Sequence, residues 1–315
     1  MKRCDEYSMK YYPLLVILIL LSACNNSDCP SPIIDDFEKG VGSLVENTSL
    51  DEASGLAASY TNPGMIWSHN DSGDSNRIFL MDSLGKGTKE FYLEGAVNRD
   101  WEDMAITNFS DGTYIYVGDI GDNLAVYPNC TIYRVKEPNA TSQAVQSSNS
   151  ITLRDVQKIT YVYPDGARDA ECMFIDHSTK DIYILSKRDL KQRLYRLPYP
   201  QSYTQTMTAE FVEEVTFSTA LNTMFYITAG DISPDNKEIL IRNYGQVYHW
   251  RRADGESIAQ ALLRPAKLLD YTYSASEEPQ GEGIAFSRTG IDYYTIGEAT
   301  DYKLPVKLFR YARKK

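Results

Sequence analysis

Polar and apolar positions alternate over short distances along this chain, and no long segment keeps a helical period. Short runs of aromatic and β-branched residues, set off by Gly, Asn, Asp and Pro, predict an all-β protein. One strand recurs five times: RIFLM (77–81), TIYRV (131–135), RLYRL (193–197), QVYHW (246–250) and KLFRY (307–311). A second strand with a polar end lies ahead of each copy. These are MIWSHND (65–71), YIYVGD (114–119), IYILSKR (182–188), EILIRN (238–243) and YYTIGE (293–298). A first strand precedes that one, reading SGLAAS, EDMAIT, ECMFID, TAGDIS and EGIAFS in turn.

Five copies of a multi-strand unit predict a five-bladed β-propeller. It forms one domain over 37–315, because each blade buries its apolar faces only against its neighbours. Fourth, outer strands are expected at KEFYLEG, KITYVYP, EEVTFS and KLLDYTY. The fifth unit runs to Lys315 without one, so GVGSLVE (40–46) is expected to supply it and join the two ends of the ring. Six blades are the alternative, if 136–168 holds a further one. That stretch lacks both the head residue and the aromatic strand.

The first strands begin with Ser54, Glu102, Glu171, Thr228 and Glu282, spaced by 48, 69, 57 and 54 residues. In a propeller the first strand of each blade lines the central channel, so these side chains point at one axis. Bare carboxylates that close repel one another and hold protons in common. A hard cation removes the conflict, and calcium takes 6–8 oxygen ligands at about 2.3–2.6 Å. No cluster of Cys and His suits zinc or copper. The five head residues are therefore candidate ligands of a central Ca2+. The other reading is a water-filled polar channel whose glutamates bond to neighbouring backbone.

The loops after the second strands are expected on one rim. They carry His69, Asn70, Asp71 and Asp74, then Asp119, Asp122 and Asn123, then Lys187 and Arg188, Arg242 and Asn243, and Glu298. Acids fall in blades one, two and five and bases in three and four, a split that suits a ligand with an anionic part and a second metal. His69, Asp71, Asp119, Lys187 and Arg188 are the candidate catalytic groups, with His69 as an acid or base near neutral pH. Asn70, Asp74, Asp122, Asn123, Arg242, Asn243 and Glu298 are the candidate ligand-binding groups. Against this, Asp and Asn in blade loops often tie down turn amides. We expect that role for Asp122, and a functional one for Asp71 and Lys187. The stretch from Asn70 to Asn76 opens like an EF-hand loop but lacks its glycine and final glutamate.

The order Ser, Glu, Glu, hydroxyl, Glu at the blade heads resembles the calcium-activated nucleotidase (apyrase) family of five-bladed propellers. The resemblance implies a central calcium at the head positions and a substrate near the loops above them. Thr228 departs from it, since Ala229 and Gly230 follow where that family has a serine-rich strand. HNDSGD (69–74) and GDIGDN (118–123) resemble a family of bacterial propeller-like lipoproteins, a likeness that implies no activity. Two functions stay open. One is a binding module for a small molecule, glycan or peptide, stiffened by calcium. The other is a calcium-dependent phosphohydrolase.

The N-terminus changes the picture of location. Lys2, Arg3 and Lys10 precede LLVILILL (14–21), which is too short to span a bilayer and has the size of a signal-peptide core. Leu21-Ser22-Ala23-Cys24 resembles the bacterial lipobox, which implies lipidation of Cys24. Residues 1–23 are then a signal, 24–36 a tether, and the protein is held to the cell envelope by lipid. Asn25 does not resemble the aspartate retention signal of inner-membrane lipoproteins, which favours the outer membrane. The net charge of −11, with no basic run, argues against a nucleic-acid polymer as partner. Of the five cysteines, Cys29, Cys130 and Cys172 remain after Cys4 and Cys24, and Cys172 is expected as a buried thiol in a strand.

Overall fold

A computed structural model of the chain describes residues 35–148, 150–217, 226–269, 276–298 and 304–315. The signal-like segment, Cys24 and Cys29 lie outside them, as do the ends of EEVTFS and KLLDYTY.

Chain order builds the ring. After β1 (Val41–Leu44), the strands β2 (Ala53–Ala58), β3 (Met65–Asn70), β4 (Arg77–Asp82) and β5 (Lys89–Leu93) form the antiparallel meander of blade 1. Blade 2 opens with β6 (Trp101–Phe109), β7 (Gly112–Asp119) and β8 (Cys130–Lys136). A single helical turn, α1 (Gln143–Gln146), then leads to β9 (Ser150–Leu153), which pairs in parallel with β5 on the outer edge of blade 1. The chain returns as β10 (Gln157–Val162), antiparallel to β8. Residues 136–168 therefore hold an edge strand and a fourth strand, and the ring has five blades.

Blade 3 contains β11 (Ala170–Ile175), β12 (Ile182–Ser186) and β13 (Gln192–Leu197). Next, β14 (Met207–Thr208) crosses back to pair in parallel with β10, and β15 (Glu210–Val215) closes blade 3. Blade 4 is β16 (Ile227–Ile232), β17 (Glu238–Asn243) and β18 (Val247–Arg251), followed by α2 (Ile258–Leu262) and β19 (Lys267–Leu268). Blade 5 is β20 (Gln280–Phe286), β21 (Tyr293–Glu298) and β22 (Lys307–Tyr311). Its outer strand is β1, with Val41 opposite Arg310 and Leu44 opposite Lys307. The first strand of the chain thus closes the last blade, as the sequence predicts.

The two-residue period of each strand decides which neighbour a side chain meets. In β6, Met104 and Ile106 join Trp67, Ile78 and Phe91 of blade 1, whereas Ala105 faces blade 3 with Met173 and Ile184. The same division gives five apolar clusters, one for each pair of adjacent blades. Burying a side chain of this size contributes about 1.5–3 kcal/mol, so the blades are held mainly by their shared faces. Cys172 packs in the cluster between blades 3 and 4, and Cys130 in the one between blades 2 and 3; both are buried free thiols.

Two aspartates, Asp103 buried and Asp231 half-buried, tie the inner strands together. Asp103 accepts hydrogen bonds from Met104 N at 2.8 Å, Met173 N at 2.9 Å and Gly230 N at 3.2 Å, so it joins blades 2, 3 and 4. Asp231 accepts from Ile232 N and Phe286 N, both at 2.8 Å, and joins blades 4 and 5. Burial pushes Asp103 well above the ordinary carboxylate range and Asp231 up to about 7.

Candidate functional site

All five head residues are placed by the same local distortion. Strand pairing in blades 2 to 5 skips one residue on the inner strand, and that residue is Glu102, Glu171, Thr228 or Glu282. In blade 1 the skip covers Ser54 and Gly55. A β-bulge leaves the extra residue unpaired and re-aims its side chain. Here it turns the head side chains out of the blade faces, and all five are buried.

The hydroxyls and carboxylates then part company. Ser54 Oγ donates to Glu102 O at 2.5 Å, and Thr228 Oγ1 donates to Gly281 O at 2.9 Å. Each hydroxyl clips its blade to the next, although its oxygen can still accept. The carboxylates of Glu102, Glu171 and Glu282 meet a larger acidic group that sequence reasoning only partly collected. Asp71, Asp100 and Glu102 bring carboxylate oxygens within 4.8 Å of one another, and so do Glu102, Asp169 and Glu171. Glu298 joins the group beside Asp71 and Glu282.

Asp100 and Asp169 were missed. Each lies two residues before a head glutamate, in RDWE (99–102) and RDAE (168–171), and this repeat was the available signal. Asp100 N donates to Asp119 Oδ1 at 2.8 Å, and Asp122 N donates to Asp169 Oδ1 at 2.9 Å, so the GDIGDN loop positions both. Gly121 in that loop passes so close to the Glu102 and Asp100 carboxylates that any β-carbon there would overlap them.

One base reaches into the acids. Lys187, expected on the rim, is buried; its Nζ donates to Glu171 Oε1 and to Tyr244 Oη, the latter at 2.9 Å. Arg188 stays partly open, with Nε on Asp169 Oδ2 at 2.6 Å and Nη2 on Asn123 Oδ1. The expected rim and channel are thus one site where Asp71, Lys187, Arg188 and Glu298 are concerned.

Burial dominates the electrostatics. It pushes Glu102 well above the ordinary range, with Glu171 and Asp71 adding to the effect. Glu171 rises well above it too, although Lys187 offsets part of the rise. Burial takes Glu282 and Glu298 up to about 8 and Asp100 to about 6, and it raises Asp71. Burial works against the Lys187 charge, but Glu171 and Glu282 outweigh it and hold the ammonium well above the usual lysine range.

Other rim candidates turn out to be braces. His69 is fully buried, with Nδ1 on Asn70 O at 2.9 Å and its ring edge-on to Trp101. Burial lowers its pKa to about 4, so it is neutral at neutral pH and away from the rim. Asn70 Nδ2 donates to Ser49 O at 2.7 Å and Asp74 Oδ2 at 2.9 Å, while Asp74 accepts from Arg77 Nε at 2.8 Å. Asp122 accepts from Val126 N and Tyr127 N, and Asn243 accepts from Gly245 N and Gln246 N. Arg242 is buried between blades 4 and 5, paired with Glu278 Oε1 at 3.0 Å, and it fills the space above Gly281. These residues hold loops and blades together.

A cation fits the acid ring on three counts. Every donor is an oxygen, as hard cations prefer. Glu171 Oε2 is buried with no hydrogen-bond partner. Among the described residues no hydrogen bond reaches the Glu102 carboxylate either.

No family model matches the chain, and no curated protein matches it. Among solved structures, the PQQ-bound form of aldose sugar dehydrogenase from Streptomyces coelicolor aligns with a TM-score of 0.45 at 9% identity, over 87% of this chain and 98% of the other. Hydrazine synthase from Kuenenia stuttgartiensis aligns with a TM-score of 0.38 at 8% identity, over 80% and 69%. Likeness at that level carries neither ligand nor chemistry over to this chain.

Proposed function

We propose that the chain is a lipid-anchored cell-envelope propeller that holds Ca2+ in its central acid ring and binds an anionic ligand at the mouth of that ring. One observation carries the reading. Glu102, almost wholly buried, gathers carboxylate oxygens of Asp71, Asp100, Asp169 and Glu171 within 4.8 Å. Two oxygens on opposite sides of a calcium ion lie about 4.6–5.2 Å apart, twice the usual calcium–oxygen distance. Calcium titrated calorimetrically into chelator-treated protein is the test. Binding that raises the melting temperature and weakens in Glu102→Gln supports it; an unchanged melt with no metal by elemental analysis removes it.

The second reading, a calcium-dependent phosphohydrolase, is favoured by Lys187 and Arg188 standing beside the acids. Base and metal together can clamp a phosphoryl group. Phosphate release from a nucleotide panel, with and without calcium, decides this: no turnover above the Glu102→Gln variant eliminates it. The envelope location rests on the sequence around Cys24, and loss of labelled-lipid incorporation in Cys24→Ser tests it.

A further inference from the structure

The two acid triads share a single residue. Asp71 and Asp100 complete one triad with Glu102, and Asp169 and Glu171 complete the other. A shared carboxylate flanked by two ligand pairs is the arrangement of a bridged pair of metal ions, which in two-metal sites stand about 3.5–4 Å apart. We propose that the ring holds two divalent cations, one bound by Asp71 and Asp100, the other by Asp169 and Glu171, with Glu102 bridging them. This rests on the reading that the ring takes a divalent cation at all.

Charge supports two ions over one. Seven carboxylates gather here: Asp71, Asp100, Glu102, Asp169, Glu171, Glu282 and Glu298. Among the described residues Lys187 and Arg188 pair with them directly, while the charge of Arg99, which also acts on Asp100, is matched by Asp119. With every acid ionised, one divalent ion leaves three surplus negative charges and two leave one. A buried surplus of three is costly where the surroundings are poorly polarisable.

The hydrogen bonds point the same way, independently of the clustering. Lys187 takes Glu171 Oε1 and leaves Oε2 buried and bare. Asp169 gives Oδ1 to Asp122 N and Oδ2 to Arg188, so its carboxylate is fixed in place while each oxygen keeps a lone pair. In the other triad, Gly121 lets its backbone pass directly against the Asp100 and Glu102 carboxylates, where a β-carbon would overlap them. Glu102 itself, between the two halves, accepts no hydrogen bond from a described residue. Glu171 and the shared Glu102 thus offer oxygens to which no described residue donates.

The test is stoichiometry. Chelator-treated full-length protein is titrated with calcium alone, and bound ions are counted by calorimetry and by elemental analysis after dialysis. Two ions per chain are expected in the wild type. One is expected in Asp71→Asn and one in Asp169→Asn, with both sites at least tenfold weaker in Glu102→Gln. Thermal melts show whether each variant is folded. If Glu102→Gln does not fold, the wild type and the two single-site variants decide. One ion in the wild type overturns the bridged pair and leaves the single-calcium reading standing. No ion overturns both.

Discussion

Lys187 sits on Glu171 from within the same blade, the lysine at the end of the second strand and the glutamate at the bulge of the first. Both are almost wholly buried, so each charge depends on the other. Removing one partner of such a pair costs about 3–5 kcal/mol. Lys187→Met should lose about that much stability in chelator and clearly less in millimolar calcium, because a bound cation takes over the neutralisation. Urea melts in the two buffers measure it. Equal losses in both would mean that no cation reaches Glu171.

Gly121 makes a prediction about shape. Gly121→Ala puts a methyl group against Glu102 and Asp100 while leaving the loop bond from Gly121 N to Asp100 O intact. Calcium affinity should fall at least about tenfold, or roughly 1.4 kcal/mol. A calorimetric titration gives the number, and an unchanged affinity would place the cation elsewhere.

Asp103 and Asp122 distinguish two kinds of brace. Losing Asp103 strands three amides inside the ring, at about 1–3 kcal/mol each. Asp103→Ala should therefore lose more than about 3 kcal/mol, and Asp103→Asn, which keeps one accepting oxygen, less. Asp122→Ala strands only the half-buried amides of Val126 and Tyr127, and should lose about 1–3 kcal/mol. Denaturant melts rank the three. Asp122→Ala matching Asp103→Ala would refute the distinction.

A pH dependence follows from His177. Its Nε2 donates to Ile232 O at 3.2 Å, which makes Nδ1 the acceptor of the Thr107 hydroxyl at 3.0 Å, and Lys180 Nζ donates to that hydroxyl at 3.2 Å. Burial lowers the His177 pKa and the Lys180 charge adds to this, while the Ile232 carbonyl first, then Asp176 and Asp235, offset part of it. The unfolded chain takes up this proton near pH 6.5, and the folded one only at lower pH. The stability that neutral His177 contributes is therefore full above pH 6.5 and is lost as pH falls toward the folded value. His177→Gln should melt lower at pH 7.5 yet fall less steeply between pH 7 and pH 5. Identical slopes in the two proteins would refute this assignment.

The ring, its blade boundaries and its closing strand could be read from the sequence because each repeats or completes a repeated pattern. The head residues were legible too, since aligned inner strands put Glu102, Glu171 and Glu282 in register. Their common cause, a bulge, leaves no mark in a single strand and emerges only from pairing. His69 shares the two-residue phase of Trp67, a core side chain, and the strand pattern therefore turns it inward rather than to the rim. Arg242 and Lys187 are different. Arg242 pairs with Glu278, 36 residues on, and Lys187 with Glu171, 16 residues back, and Tyr244, 57 residues on; no local pattern gives the direction of a long basic side chain.

The parallel strands β9 and β14 have a consequence for how such a ring can change over time. Blade 1 is edged by chain that belongs to the blade 2 repeat, and blade 2 by chain that belongs to blade 3. Cutting out one repeat would therefore take its edge strand from the blade before it and leave that blade to the edge strand of the next repeat. The blades look like interchangeable units in the sequence, but blades 1 and 2 are finished by chain from the repeat that follows. Growth or loss of the ring by whole units on this side must therefore fit the edge strand of one repeat, 4 residues in β9 and 2 in β14, to the blade of another.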